Sequence, residues 1–300
     1  MKHETARQYR CVVSGEALAL SVSDGSNGSV VTGSLRSPSG KIYPIEAGVP
    51  NFVHPDELLA SDEEFREKYE TGADRYDVGL EWLFTSFYLD QQQVRASLVE
   101  RLELCRGARV LEVGCGTGKD TVLIANALRG TGEIFAQDLS PAMLRLAKRS
   151  LAEVETPIEF FLGNAAYLPF DDGLFDGVFH FGGINEFGDI PRTFAEMTRV
   201  TRTGGKVVVG DEGIAPWLRE TFFGQVLMNA NPLYRHTPPL AALPSTAEDV
   251  RLSWIMANAF YLIEYRAGAA APRVDLDLPI PGKGDSLRSR FDRRRGIRTE

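Results

Sequence analysis

The sequence predicts an α/β fold built on a doubly wound, mostly parallel sheet, and three observations carry that prediction. Val110, Leu111 and Val113 make a short apolar run, as suits a parallel strand covered on both faces. Gly114, Gly116 and Gly118 follow at once as a sharp turn, and glycine allows backbone to approach a ligand closely. From Lys119, the residues Val122, Leu123, Ala125, Ala127 and Leu128 suit a helix whose first amides point into that turn. Strand, glycine turn and helix together describe a nucleotide-type site.

The glycine spacing narrows the ligand. A dinucleotide fingerprint requires G-x-G-x-x-G, and counting from Gly114 its last position falls on Lys119. The spacing is instead G-x-G-x-G, with Glu112 two residues ahead. This resembles motif I of the class I S-adenosylmethionine-dependent methyltransferases, E/D-x-G-x-G-x-G. The resemblance implies a Rossmann-like, seven-stranded sheet over residues 105–282, S-adenosylmethionine as cofactor, and Glu112, Gly114, Cys115 and Gly116 among the residues that hold it.

Before this domain, residues 1–55 read as a small β-rich module, with short apolar runs at Val12-Val13, Leu18–Leu20 and Val30-Val31 among serines and glycines. Gly40-Lys41-Ile42-Tyr43-Pro44-Ile45 through Phe52 resembles a segment of a small zinc-ribbon family. That family includes the activator subunit of certain tRNA and protein methyltransferases. A ribbon of this kind closes a tetrahedral zinc site with two C-x-x-C knuckles. Here those knuckles are Cys11 to Ser14 and Arg36 to Ser39, one thiol of four, so no zinc is expected. Residues 56–104 turn helical, with a break at Thr71-Gly72-Ala73 and an amphipathic run at Val94, Leu98 and Leu102. The resemblance implies that this helical cap closes over the cofactor, with a tyrosine near the methyl group.

Three further stations follow the glycine turn. Ile134 to Ala136 reads as a second strand ending at Asp138, 24 residues after Gly114, where an acid can accept both ribose hydroxyls. Ser140 then caps a helix with Pro141 at its first position. The string Asp138-Leu139-Ser140-Pro141-Ala142-Met143-Leu144 resembles the family's D-x-S-x-x-M-L, which implies that Met143 packs on the adenine, with Leu139 also among the cofactor-binding residues. The third station, Gly163-Asn164-Ala165-Ala166-Tyr167-Leu168-Pro169-Phe170, resembles G-D-A-x-x-L-P-F, whose Asp accepts from the adenine amino group. Asn164 stands in its place and accepts without a charge, with Ala165 beside it. Phe175-Asp176-Gly177-Val178 resembles the F-D-x-V of a fourth strand. Glu196 to Val209 resembles the helix, glycine turn and fifth strand, with Thr203 where proline is usual. The closest resemblance is to the ubiquinone/menaquinone C-methyltransferase-like group.

Ligands of open α/β sheets lie beyond the carboxyl ends of the strands. That places Gly182–Glu186 and Gly210–Glu212 beside the substrate. Glu186 is the first candidate general base and His236 the second, whereas His180 reads as a core histidine inside a strand. Residues 213–250 form a helical insertion expected to act as a substrate lid. A sixth strand is expected around Ala259–Ile263, and a half-buried seventh at Val274-Asp275-Leu276-Asp277-Leu278 from its alternation. Residues 283–300 make a basic tail carrying Arg288, Arg290, Arg293, Arg294, Arg295 and Arg298. It reads as solvated, or alternatively as an anion clamp through Arg288 or Arg290.

Of 300 residues, 43% are hydrophobic, enough for a large core, and the net charge of −8 argues against a general nucleic-acid surface. The three cysteines make no disulfide framework, and no apolar stretch nears the length of a membrane span. A soluble, cytoplasmic enzyme is therefore expected. It transfers a methyl group to oxygen or carbon of a small, partly apolar metabolite, without a metal because no catechol-type acidic cluster is evident. Two alternatives stand beside this reading, a macromolecular (tRNA or protein) methyltransferase and a cofactor-binding protein without catalysis.

Overall fold

A computed structural model describes residues 1–295, in two compact units, Met1–Ala269 and a second beginning at Ala270. In the first unit the strands are β1 (Ala19–Ser26), β2 (Ser29–Arg36), β3 (Ile42–Glu46), β4 (Val49–Phe52), β5 (Arg109–Val113), β6 (Glu133–Asp138), β7 (Ile158–Gly163), β8 (Phe175–Phe181), β9 (Thr201–Glu212), β10 (Ala247–Ile255) and β11 (Phe260–Ala267). Its helices are α1 (His3–Ala6), α2 (Ala60–Ser86), α3 (Gln91–Glu100), α4 (Lys119–Leu128), α5 (Pro141–Ser150), α6 (Ile190–Val200) and α7 (Phe222–Ala230).

The strands form one mixed sheet in the order β1-β2-β3-β4-β7-β6-β5-β8-β9-β11-β10, eleven strands rather than the seven expected. Pairing is parallel from β4 through β9, and antiparallel in β1–β4 and in β9-β11-β10. The four additional strands join through Asn51↔Leu162 and Phe52↔Gly163, so the β-rich N-terminal stretch continues the sheet at the β7 edge. Where a zinc ribbon would carry its knuckles, Cys11 Sγ lies 3.1 Å from the Tyr43 hydroxyl. Ser14 and Ser39 both donate to Glu16.

Successive strand residues face opposite layers. Leu111, Val113, Phe135, Phe161, Val207 and Val209 pack with Phe194 and Met197 of α6 on one side. Val110, Ile134, Phe179 and Val208 pack with Leu98 and Val99 of α3 and Ile124 and Leu128 of α4 on the other. Helices therefore cover both faces, which leaves the carboxyl ends of β5–β8 free to carry a site.

Two details differ from the sequence reading. Helix α2 runs unbroken through Thr71-Gly72-Ala73. Thr71 Oγ1 donates back to the Glu67 carbonyl, and Ala73 is buried against Met143. One glycine costs a helix only about 1 kcal/mol, too little by itself to end a helix of 27 residues. The seventh strand is not at residues 274–278, where Val274 and Leu278 are exposed and no strand forms. Instead β10 and β11 make an antiparallel hairpin, with β11 between β9 and β10. The stretch between β9 and β10 contains α7 and three short 3₁₀ turns, and residues 247–250 belong to β10. In the second unit, helix α8 (Leu287–Arg295) carries Arg288 paired with Asp277, and Arg290 and Arg293 paired with Asp285. The anion-clamp reading of Arg288 and Arg290 therefore meets arginines already neutralised by aspartates; Arg298 lies outside the described residues.

Candidate active site

Two adjoining cavities open at the carboxyl ends of the central strands. The first, with about 710 Å³ of empty space, is floored by Gly114, Gly116, Asp138 and Leu139 and walled by Met143, Asn164, Ala165 and His180. Its roof is one face of α2, supplying Asp62, Phe65, Arg66, Tyr69 and Tyr76. The second, of about 510 Å³, is lined mainly by apolar side chains, including Leu80, Phe84, Phe181, Leu233, Met256 and Phe260. Tyr69, Tyr76, Gly182, Gly183 and Glu186 line both.

The floor follows from local chain geometry. Gly114, Gly116 and Gly118 have φ of 64°, 54° and 87°, the left-handed region that glycine enters without penalty. A Cβ on Gly114 would lie 3.3 Å from the His180 ring, and one on Gly116 would lie 3.6 Å from Tyr76. The turn thus presents bare backbone to the cavity. Asp138 accepts from the Gly116 amide through Oδ2 at 2.8 Å, and from the Ser140 amide through Oδ1 at 2.9 Å. Burial pushes its carboxyl up to about 6, against the opposing pull of these backbone amides. Ser140 caps α5 by accepting from Met143 N at 3.3 Å, which sets Met143 in the cavity wall.

Acidic and basic residues fasten α2 across the opening. Asp62 Oδ1 accepts from Gly188 N at 2.8 Å, and its Oδ2 accepts from Asn164 Nδ2 at 3.2 Å. Glu70 accepts from Ala142 N, the Ser140 hydroxyl and Arg145, at the N-terminus of α5. Asp77 accepts from Thr117 Oγ1 at 2.7 Å and pairs with Lys119 at 3.0 Å. Glu186, nearly fully buried, takes Lys68 on one oxygen at 2.7 Å and the Tyr69 hydroxyl on the other at 2.6 Å. Burial, followed by the Glu186 charge, raises the Tyr69 hydroxyl well above its usual value. Beside the second cavity, burial and then Asp211 raise the Glu212 carboxyl well above the carboxylate range.

Of the residues picked from sequence, Gly114, Gly116, Asp138, Leu139, Met143, Asn164, Ala165 and Glu186 all meet at the first cavity. Three do not. Glu112 shares a strand face with Val110 and lies under α3 and α4, beside Arg95 and Asp120. Burial and the Asp120 charge hold it well above the carboxylate range. Cys115 packs against Leu144 and Leu151, away from the cavity, and burial raises its thiol. His236 is exposed in the loop after Arg235, outside both cavities.

Sequence reasoning missed Asp62, Phe65 and Arg66, although 62, 65/66, 69, 73 and 76 are spaced as one helix face. His180, which the sequence places in the core, is indeed buried and also lines the first cavity. Its Nδ1 donates to the Val113 carbonyl at 2.8 Å and Nε2 has no hydrogen-bond partner. Burial lowers its pKa, and the neutral ring presents Nε2 as an acceptor in a residue that lines the first cavity.

These features match known proteins. Residues 110–205 match the family model of the methyltransferase domain. A demethylmenaquinone methyltransferase of Bacillus mycoides is 30% identical over 152 residues, 50% of this chain and 62% of that protein. Its namesake in Bacillus licheniformis is 39% identical over 114 residues, 38% and 49% of the two chains. The chain thus spans about half to three fifths of the length of these curated relatives. Among solved structures, Haemonchus contortus phosphoethanolamine N-methyltransferase 2 in complex with S-adenosyl-L-methionine has a TM-score of 0.53 at 14% identity. That match covers 76% of this chain and 63% of the other. A chain from the complex of the Haloferax volcanii Trm112 methyltransferase activator with a methyltransferase has a TM-score of 0.50 at 17% identity, covering 67% and 97%. Residues 110–205 thus match a methyltransferase domain, and the chain shares the α/β fold of these methyltransferase structures.

Proposed function

We propose that the protein transfers a methyl group from S-adenosylmethionine to an oxygen or carbon of a small, partly apolar metabolite. The observation that carries this reading is the pair of adjoining cavities with Tyr69, Tyr76 and Glu186 on their common wall. The first cavity fits the cofactor in its chemistry. It offers bare glycine backbone, a carboxyl at a strand end, an amide, a thioether beside an apolar patch, and an unpartnered buried ring nitrogen. Asp138 would hold the ribose, Met143 and Leu139 the adenine face, and Asn164 its edge. When bound, the cofactor supplies an electrophilic methyl on a sulfonium.

The chain's own residues do the rest. In-line transfer is accelerated mostly by positioning and desolvation, and α2, pinned by Asp62, Glu70 and Asp77, keeps bulk water from the cavity floor. The apolar second cavity holds the acceptor. Glu186 sits where the cavities meet and receives the acceptor's proton, with Lys68 and the Tyr69 hydroxyl fixing its two oxygens. Among the described residues no group of His, Cys, Asp and Glu is arranged to hold a metal ion, and the reaction as drawn uses none. No helix described is long and apolar enough to cross a membrane. The relatives named demethylmenaquinone methyltransferase support a small-molecule acceptor.

Incubation with methyl-tritiated cofactor and separate pools of metabolites, tRNA and protein tests the proposal. Label should enter the organic-extractable metabolite fraction. Label confined to tRNA or protein, or none transferred by a chain that binds the cofactor, would overturn it.

A further inference from the structure

We propose that Asp62, on the first turn of α2, supplies the carboxylate that Asn164 lacks, and so reads the adenine amino group from the cap rather than from the sheet. The inference rests on the reading of the first cavity as the S-adenosylmethionine site. At the end of β7, the position that resembles an adenine-reading aspartate holds Asn164. The amide oxygen of Asn164 is already engaged, accepting from Ala166 N at 3.0 Å, while its Nδ2 donates to Asp62 Oδ2. Asn164 keeps one N–H and one lone pair with which to meet the adenine edge, but it brings no charge, and the charged acceptor beside it is Asp62. The Asp62 carboxylate lines the same cavity, is only 7% exposed, and makes no ion pair within 4 Å among the described residues. Two neutral donors, Gly188 N and Asn164 Nδ2, hold it in place. Gly188 permits this approach, since a Cβ there would lie 2.9 Å from Asp62 Oδ2.

The arrangement explains the departure at position 164. A carboxylate there would face Asp62 at hydrogen-bond distance, and two like charges at that separation cannot both stay ionised without cost. Amide and carboxylate together form a matched pair with one net charge, and the charge resides on α2. Adenine recognition and closure of the cap then depend on the same side chain.

The test measures binding by calorimetry, independent of turnover. Its ligands are S-adenosylhomocysteine and S-inosylhomocysteine, in which a carbonyl oxygen replaces the adenine amino group. Wild type should prefer the adenine form. Asp62→Asn should weaken S-adenosylhomocysteine roughly tenfold, the loss of one charge-assisted hydrogen bond, and leave S-inosylhomocysteine within about twofold. Asn164→Asp alone should also weaken the adenine form. The exchange Asp62→Asn/Asn164→Asp should recover most of the affinity by returning one carboxylate and one amide. Equal weakening of both ligands by Asp62→Asn would mean that Asp62 only holds the cap, and would overturn the inference. So would no weakening of either. A wild-type chain that binds neither ligand would instead remove the cofactor reading underneath.

Discussion

Replacing Glu112 by Gln should stabilise the protein at neutral pH and leave cofactor affinity intact, although sequence motifs place this residue among the cofactor ligands. Glu112 is 2% exposed, its Oε2 has no hydrogen-bond partner, and it lies among Arg95, Asp120 and Thr121 under α3 and α4. Arg95 is already committed to Asp120, with its cation 5.6 Å from the Phe84 ring centre and 5.3 Å from that of Phe181. Burial and then the Asp120 charge raise the Glu112 carboxyl well above its ordinary value, so the folded chain keeps a proton that the unfolded chain releases. Folded-state protonation is then the greater, and stability falls as pH rises from the carboxylate range toward the raised value, with a slope of up to about 1.4 kcal/mol per pH unit. Glutamine removes that slope. The variant's advantage should therefore be smallest near pH 4 and grow steadily as pH rises toward 7. Urea unfolding of both proteins at pH 5, 6 and 7, followed by far-UV circular dichroism, measures it. A stability difference that does not grow with pH, or a tenfold loss of S-adenosylmethionine affinity in the variant, would refute the reasoning.

Three other predictions follow from the same geometry. Glu186→Gln should lower the rate of methyl transfer by roughly 100-fold or more, as for loss of a general base. It should change S-adenosylmethionine affinity little, as single-turnover transfer beside calorimetry will show. Gly118→Ala should destabilise by about 1–3 kcal/mol in thermal unfolding. Its φ of 87° disfavours a side chain, and the new Cβ would lie 2.7 Å from Leu151 Cδ1. Because Asp138 titrates at about 6, cofactor affinity should fall as pH drops through that value and the carboxyl gains a proton, a loss that calorimetry from pH 5 to 8 records and that Asp138→Asn abolishes.

The legible part of the site is the part whose residue types are forced by backbone geometry. Positive φ at Gly114, Gly116 and Gly118 admits few other residues, so their spacing announces the turn. Asp138 and Ser140 are readable because a strand end and a helix cap each call for a particular side chain. The strand of Glu112 was equally readable, but its alternation turns Glu112 into the layer of α3 and α4 rather than toward the cavity. Long-range pairings leave no local signature. The partnership of Asn51 with Leu162 and the reach of Asp62 to Asn164 join segments over 100 residues apart. The alternation at residues 274–278 misled because alternation alone does not bury a face, and Val274 and Leu278 stay exposed with no strand formed there.

Titrating S-adenosylmethionine into wild type and Asp138→Ala in a calorimeter asks whether the cavity between the glycine turn and α2 receives it. Wild type should show one site per chain, and removing the Asp138 carboxylate should cost roughly 1.5–3 kcal/mol, about ten- to hundredfold in affinity. No heat from wild type at millimolar cofactor, or equal affinity in the two proteins, would contradict that placement of the cofactor.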